Sequence, residues 1–174
     1  MTEPLTWTYA VTELPSGIRT FTRDATPEER AAISTDMGLI ACSRLQASYA
    51  IRPLGGGRYK LSGSLRADVT QACVVTLEPL EATVNAPLDV EFSPSANDPI
   101  SPSNDDEIEV LSLPELEAIE NGDLPVGRIV YEALAAALDP YPKKPGATFA
   151  WDDPRAKDSK VHPFAALANL KLKE

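Results

Sequence analysis

A period-two alternation of apolar and polar residues runs through the middle of this chain, from residue 44 to residue 92. Successive side chains of a β-strand point to opposite faces of the sheet, so this alternation predicts strands with one buried face. Residues 39–92 are therefore predicted to form an antiparallel meander, with a turn at Glu78-Pro79 and with Pro87 indicating an edge strand or a bulge. The residues predicted to face inward are Leu45, Ala47, Tyr49, Ile51, Tyr59, Leu61, Gly63, Leu65, Ala67, Val69, Ala82, Val84, Ala86, Leu88, Val90 and Phe92.

The first two strands of this meander are joined by Leu54-Gly55-Gly56-Gly57. Glycine adopts the positive φ values of tight turns without steric cost, so the segment is typical of a hairpin connection. Pairing the strands across this loop predicts that Arg52 lies opposite Arg58 and that Arg44 lies opposite Arg66.

The two cysteines are too few for a disulfide scaffold or a closed zinc site. The second strand keeps its phase through Cys73, Val75 and Leu77, which predicts that Cys73 is a small buried hydrophobe rather than a nucleophile. The register continued back from Arg44 places Cys42 on the polar face, and we assign it no role.

Two segments outside the meander have helical patterns. In the first, Thr26 is a predicted N-cap, Pro27 suits the first helical position, Glu29 completes a capping box and Gly38 is a stop signal. The second helix, over residues 125–138, has an apolar stripe at the i, i+3, i+4, i+7 spacing of one helix face. The stripe consists of Val126, Ile129, Val130, Ala133, Leu134, Ala137 and Leu138.

Two shorter segments are predicted strands. Thr6 to Val11 alternates and is expected to pair with Ile18 to Phe21 across a local turn, and Ile108 to Leu113 is one more candidate. The predicted fold class is therefore α+β: a mostly antiparallel twisted sheet or partial barrel with one main packed helix and flexible acidic or Pro-rich segments.

The predicted organisation is a single α+β domain over residues 1–139, followed by a Pro- and charge-rich tail over residues 140–174. Residues 93–107 are acidic and rich in proline and serine, and we expect a mobile loop there. The tail ends in a short amphipathic helix with Phe164, Leu167 and Leu170 on one side. That helix either docks on the protein's own sheet or anchors in a partner's groove.

Charge and composition exclude several function classes. The formal net charge is −10, which argues against a general nucleic-acid binder. His162 is the only histidine, and no nucleophile–base pair or metal-ligand cluster can be assembled, so we expect no enzyme, no cofactor, no metal and no small-molecule substrate. The N-terminus has no secretory pattern and no run is long enough to span a membrane, which predicts a cytoplasmic protein.

A basic stripe on this acidic chain is the main candidate for a functional surface. Residues 39–70 contain five basic residues and one acid, a net +4, so the other residues together have −14. The stripe is a candidate RNA contact, because arginine suits bidentate contact with phosphates. The alternatives are that the stripe is a solvated sheet face or that the acidic segment of residues 95–109 folds back onto it. The five basic residues are Arg44, Arg52, Arg58, Lys60 and Arg66.

Three pieces of the chain together resemble the YceD family, the large ribosomal RNA subunit accumulation proteins. They are LSGSLRADVTQACVVTLEPLEATVNAPLDVEFSP, ENGDLPVGRIVYEALAAALDPYP and the terminal HPFAALANLK, which span roughly residues 55–172 in the family's order. The resemblance implies a bacterial cytoplasmic factor for the accumulation of 23S ribosomal RNA, with no established catalytic activity. Some members have Cys-x-x-Cys after the central strand, which suggests metal binding, whereas here Cys73 is followed by Thr76.

We therefore expect a non-enzymatic ribosome-biogenesis factor that supports accumulation or processing of large-subunit ribosomal RNA. Its expected partner is precursor ribosomal RNA, a basic ribosomal protein, or both, since an acidic body with a local basic stripe suits an adaptor. The alternative is a protein–protein interaction module unrelated to ribosomes that acts through its C-terminal amphipathic helix.

Overall fold

The computed structural model describes residues 4–14, 16–94 and 115–149. A short 3₁₀ helix at Val11–Glu13 follows the first strand. The strands and helices of the described residues are β1 (Tyr9–Ala10), β2 (Arg19–Asp24), α1 (Pro27–Asp36), β3 (Ala41–Gly55), β4 (Arg58–Ala72), β5 (Pro79–Ser93), β6 (Glu115–Ala118), β7 (Asp123–Leu124) and α2 (Val126–Ala137).

The main sheet has the strand order β2-β3-β4-β5-β6. All neighbours are antiparallel except β5 and β6, which run parallel, and β1 pairs with β7 in a separate two-stranded sheet. The coarse α+β prediction is confirmed. In the described residues β2 and β6 are the two edges of the main sheet, so the sheet is open and is not a closed barrel. Neither described helix is long and apolar enough to span a membrane.

One face of the main sheet is buried against the helices and the N-terminal segment, and it contains the inward residues of the alternation. Tyr49, Leu61, Leu65 and Phe92 are among its fully buried side chains. Helix α2 packs on β4 and β5 with the predicted stripe, of which Val126, Ile129, Val130 and Leu134 are buried. We call the opposite side of the sheet the outer face.

The β3–β4 hairpin is tighter than the sequence predicted. Gly56 and Gly57 form a two-residue turn with positive φ at both positions (60° and 76°), the geometry of the favoured I′ hairpin. A β-bulge lies between Pro53 and Gly55. Gly55 pairs with Arg58, and beyond the bulge Arg52 pairs with Lys60. Every outer-face partner is therefore two residues further along β4 than predicted.

The predicted Arg52–Arg58 and Arg44–Arg66 pairs are therefore wrong. Arg52 lies opposite Lys60, and Arg44 lies opposite Asp68. A shift by two residues changes the partners and leaves each side chain on its predicted face, since the side-chain period of a strand is two.

The predicted local hairpin at the N-terminus is also wrong. Strand β2 pairs with β3 over six positions, from Arg19 opposite Ile51 to Asp24 opposite Gln46, whereas β1 is only two residues long and pairs with β7. The long-range arrangement brings aromatic rings together: Phe21 stacks on Tyr49 with centroids 5.7 Å apart. These contacts join segments far apart in sequence, so no local pattern indicates them.

A second bulge explains the burial of Cys42. The register shifts between Cys42 and Arg44, so the phase does not continue through Ser43 and the Cys42 side chain turns inward. Burial raises the pKa of the Cys42 thiol above its ordinary value. The placement of Cys42 on the polar face is thus corrected.

The chain divides into two units, residues 1–144 and residues 145–174, of which the structure describes residues 145–149 in the second. The first unit includes residues 140–144, and the chain after α2 is bonded to residues at and just after the end of β4. Gln71 Nε2 donates to the Asp139 carbonyl (2.9 Å), and the Val74 N–H donates to the Pro142 carbonyl (2.9 Å).

Several sequence predictions fall outside the described residues. They concern the strand at residues 108–113, most of the acidic loop and the C-terminal helix; of the predicted loop, Ser93 is buried at the end of β5. Strands β6 and β7 were not predicted, because both are very short and β6 has the acidic sequence ELEA.

Helix α1 begins with the predicted capping box. The Glu29 N–H donates to Thr26 Oγ1 (3.2 Å), and the Thr26 N–H donates to Glu29 Oε2 (2.8 Å). The other Glu29 oxygen accepts from Trp7 Nε1 (2.9 Å), which ties the cap to a buried tryptophan of the N-terminal segment. Gly38, with φ of 65°, follows the C-terminus of the helix, as predicted.

We expect Thr26→Ala to lower the free energy of unfolding by about 1 kcal/mol, because the Glu29 N–H loses its acceptor. Urea denaturation measures the change. Thr35→Ala is the control: its hydroxyl donates to the Ala31 carbonyl within α1 and caps nothing, so its effect should stay below about 0.5 kcal/mol. Equal losses in the two variants would contradict a capping role.

Candidate functional site

The five basic residues of the predicted stripe all lie on the outer face of the sheet. Arg44 and Arg52 are in β3, and Arg58, Lys60 and Arg66 are in β4, each in alternation with buried residues of the same strand. The two-residue turn and the bulge at residues 53–55 together shift the strand pairing by two residues, so the Arg58 side chain stays on the face that the sequence predicted.

Two of these five residues are bonded to neighbours on the same face. Lys60 Nζ forms an ion pair with Asp89 Oδ1 of β5 (2.9 Å). Arg44 lies opposite Asp68 and donates to Gln46 Oε1 (3.2 Å). Lys60 therefore neutralises an acid of the sheet itself, whereas the Arg44 guanidinium is bonded to a neutral side chain of the same face.

Arg52, Arg58 and Arg66 form no ion pair and no hydrogen bond with any residue that the structure describes. Arg52 and Arg66 are exposed, and Arg58 is half-buried. Arg52 also lies opposite Lys60, and like charges directly opposite each other in a sheet are destabilising. Stability of the sheet therefore gives no reason for these three arginines, which we call the open arginines.

Acidic residues share the outer face with the open arginines. In the described strands these acids are Asp24 in β2, Asp68 in β4 and Glu81, Asp89 and Glu91 in β5. Three of them are bonded within the face: Asp24 accepts from Gln46, Asp68 from Thr83, and Asp89 pairs with Lys60. The face as a whole is nearly balanced in charge, and its available positive charge is confined to β3 and β4.

An open trough of about 440 Å³ crosses the middle of the outer face. Its floor is made of small residues, among them Ser48, Gly63 and Ser64, with Arg66 and Asn85 along one side. The Ser64 hydroxyl and the Asn85 carboxamide form no hydrogen bond with a described residue. Sequence reasoning did not identify this trough, although the run Ser62-Gly63-Ser64 in the middle of a strand was a signal for it.

The turn after β4 holds a cysteine in an unexpected environment. Strand β4 ends at Ala72, and the Leu77 N–H donates to the Cys73 carbonyl (2.9 Å) to close a turn with Leu77 in the left-handed region (φ 61°). The predicted continuation of the strand through Cys73, Val75 and Leu77 is therefore wrong, and Leu77 is 76% exposed. Cys73 is buried, but it lies outside the main hydrophobic core.

The Cys73 sulfur accepts a hydrogen bond from the Lys144 N–H (3.4 Å). The Thr76 hydroxyl, this Lys144 N–H and the N–H groups of Thr76 and Val75 favour the thiolate and lower the Cys73 pKa to about 6. Hydrogen bonding to the charged form outweighs the opposing effect of burial on the Cys73 pKa.

We expect the free energy of unfolding to rise with pH between about pH 6 and pH 9. The folded pKa of Cys73 is depressed from its ordinary value of 9.0, so in this window the unfolded chain binds more protons than the folded one. The stability that the Cys73 thiolate contributes is complete above about pH 9 and is lost as the pH falls through about 6. Urea denaturation across this range checks the slope, which should vanish in Cys73→Ser and persist in Cys42→Ser. If Cys73→Ser kept the pH slope, the slope would not come from the depressed pKa of Cys73.

The described residues include no group of three or more His, Cys, Asp or Glu side chains that could hold a metal ion. His162 and the predicted docking residues Phe164, Leu167 and Leu170 lie outside the described residues. The open arginines and the adjoining trough are the candidate surface, because the three guanidinium groups, the Ser64 hydroxyl and the Asn85 carboxamide have no hydrogen-bond partner among the described residues.

Comparison with known proteins identifies no relative: no family model, no curated protein and no solved structure matches this chain.

Proposed function

We propose that this protein is a non-enzymatic RNA-binding factor that supports the accumulation of large-subunit (23S) ribosomal RNA. The observation on which the proposal rests is the set of open arginines on the outer face of β3 and β4, together with the sequence resemblance to the YceD family. Such a factor acts in the cytoplasm, and precursor ribosomal RNA is its partner.

The chemistry of the open arginines suits phosphate groups. A guanidinium offers five N–H donors in a planar fork that matches the oxygens of a phosphate. Arg52, Arg58 and Arg66 lie on two adjacent strands of one rigid sheet, so their spacing is set by the fold rather than by a loop. Unpaired cations on a strand-built surface are preorganised for an anionic partner.

The charge of the whole protein limits the way in which it can bind RNA. With a net charge of −10, the chain repels phosphates at long range, so binding depends on close contacts of the open arginines. The acids of β5 also repel RNA phosphates from that side of the outer face. We therefore expect moderate affinity that falls steeply with salt.

The test is binding of the purified full-length protein to fragments of large-subunit ribosomal RNA and to an unrelated RNA, over a range of salt concentrations. The variant Arg52→Gln/Arg58→Gln/Arg66→Gln should bind at least about tenfold more weakly. Its slope of log K against log salt should be shallower by about 2 to 3, since each phosphate contact contributes roughly 0.7–0.9.

The matched control removes three positive charges elsewhere, in Arg19→Gln/Arg23→Gln/Lys143→Gln, and should keep the salt slope. Circular dichroism confirms that both variants fold. If both triple variants lost RNA affinity equally, net charge rather than the positions of the open arginines would determine binding. Failure of the unaltered protein to bind RNA, with binding to basic ribosomal proteins instead, would overturn the proposal in favour of a protein partner.

A further inference from the structure

The open arginines occupy two separate places on the outer face. Arg52 and Arg58 lie near the β3–β4 turn, whereas Arg66 lies six residues beyond Lys60 along β4. At about 3.3 Å per residue, the row that contains Arg52 is roughly 20 Å from the row that contains Arg66. The outer face thus has cationic groups at two positions on either side of a central strip.

The strip between these positions is uncharged and polar on β3 and β4. Its outer-face residues are paired across the strands: Ala50 lies opposite Ser62, and Ser48 lies opposite Ser64. The hydroxyls of Ser62 and Ser64 have no hydrogen-bond partner among the described residues, and neither has the carboxamide of Asn85, which lies opposite Arg66 at the end of the strip. The strip therefore offers unsatisfied hydroxyl and amide groups over a shallow trough.

The aromatic residues of the main sheet all face the opposite side. Phe21, Tyr49, Tyr59 and Phe92 have inward positions in the register, so the described strands present no aromatic side chain on the outer face. Proteins that recognise single-stranded RNA stack its bases on exposed aromatic rings or on arginine planes. The outer face has no aromatic platform for splayed bases.

We infer that the outer face binds double-stranded RNA across its minor groove, an inference that rests on the proposed function. An A-form duplex presents a wide, shallow minor groove that displays 2′-hydroxyls between two rows of phosphates. The open arginines contact phosphates of the two rows, Ser62 and Ser64 bond to the 2′-hydroxyls between them, and Asn85 bonds to a 2′-hydroxyl beside the row of Arg66. Recognition on this surface is by the shape of the duplex and by its sugars, with no reading of unstacked bases.

The test uses the full-length protein and three probes of one sequence: an RNA duplex of about 16 base pairs, one of its strands alone, and the corresponding DNA duplex. The RNA duplex should bind at least about tenfold more tightly than either of the others. Substituting the strip, in Ser62→Ala/Ser64→Ala/Asn85→Ala, should reduce the preference for RNA over DNA and leave the salt slope unchanged. Ser34→Ala/Thr35→Ala, which removes two hydroxyls from α1, is the control and should keep the preference.

The outcomes separate this inference from the proposed function. Binding of the single strand as tightly as the duplex, lost on substitution of the open arginines, would overturn the duplex inference and leave the proposed function intact. Equal binding of RNA and DNA duplexes would overturn the contact with 2′-hydroxyls. Binding of none of the RNA probes, including the ribosomal fragments, would overturn both.

Discussion

Alanine at position 63 is expected to lower the free energy of unfolding by about 3 kcal/mol or more. Gly63 lies opposite Tyr49 in the middle of the β3–β4 ladder. A Cβ atom at position 63 would lie 2.2 Å from the Ser48 carbonyl oxygen and 2.6 Å from Tyr49 Cα. Both are backbone atoms held by strand pairing, so β3 and β4 must separate locally and lose ladder hydrogen bonds to admit a single methyl group.

Urea denaturation of Gly63→Ala measures this loss, and Gly17→Ala is the matched control. Nothing lies within 4 Å of a Cβ atom at position 17, and the φ angle of Gly17 is outside the left-handed region. The control should be neutral or more stable by up to about 1 kcal/mol, because alanine restricts the unfolded chain. A Gly63→Ala protein as stable as the control would mean that β3 and β4 are not so close at this point.

Gly127→Ala is the second large effect, with an expected loss of about 2–3 kcal/mol. Gly127 is in the first turn of α2, where its N–H donates to the Trp7 carbonyl (2.8 Å). A Cβ atom there would lie 2.5 Å from the Leu5 carbonyl oxygen and 2.8 Å from the Trp7 nitrogen. The helix and the N-terminal segment touch through their backbones at this position, so neither can yield by a side-chain rotation.

The sign of the Gly127 result is informative. Alanine is a better helix former than glycine by about 1 kcal/mol, so helix propensity alone predicts a more stable protein. Urea denaturation gives the sign, and near-ultraviolet circular dichroism reports whether buried Trp7 loses its fixed environment. Ala135→Gly, at an exposed position of α2, is the control for propensity and should cost about 1 kcal/mol. An increase in stability on Gly127→Ala would show that the N-terminal segment does not pack on the helix.

Much of the fold could be predicted from local pattern. The alternation of residues 44–92 indicated which side chains face inward, and the stripe of α2 indicated its buried side, because side-chain direction repeats with the period of the element. The capping box of Thr26 and Glu29 was equally local, since its partners are three residues apart. The same logic placed all five basic residues on the outer face.

The tertiary structure alone decided which residues meet across that face. The two-residue turn at Gly56-Gly57 and the adjacent bulge gave Arg52 the partner Lys60, and the pairing of β4 with β5 brought Asp89 to Lys60. Which arginines stay open depends on these long-range registers.

The clearest examples of long-range determination are Cys73 and Gly127. Lys144, 71 residues along the chain, donates to the Cys73 sulfur, and the Gly127 N–H meets the carbonyl of Trp7. By itself, the amino-acid sequence determined the faces of the strands, the capped helix and the buried side of α2, because those depend on neighbours within a few residues. The register, the ion pairs, the low pKa of Cys73 and the close backbone contacts were decided only when the chain folded back on itself, because each depends on the distance between segments that the fold alone brings together.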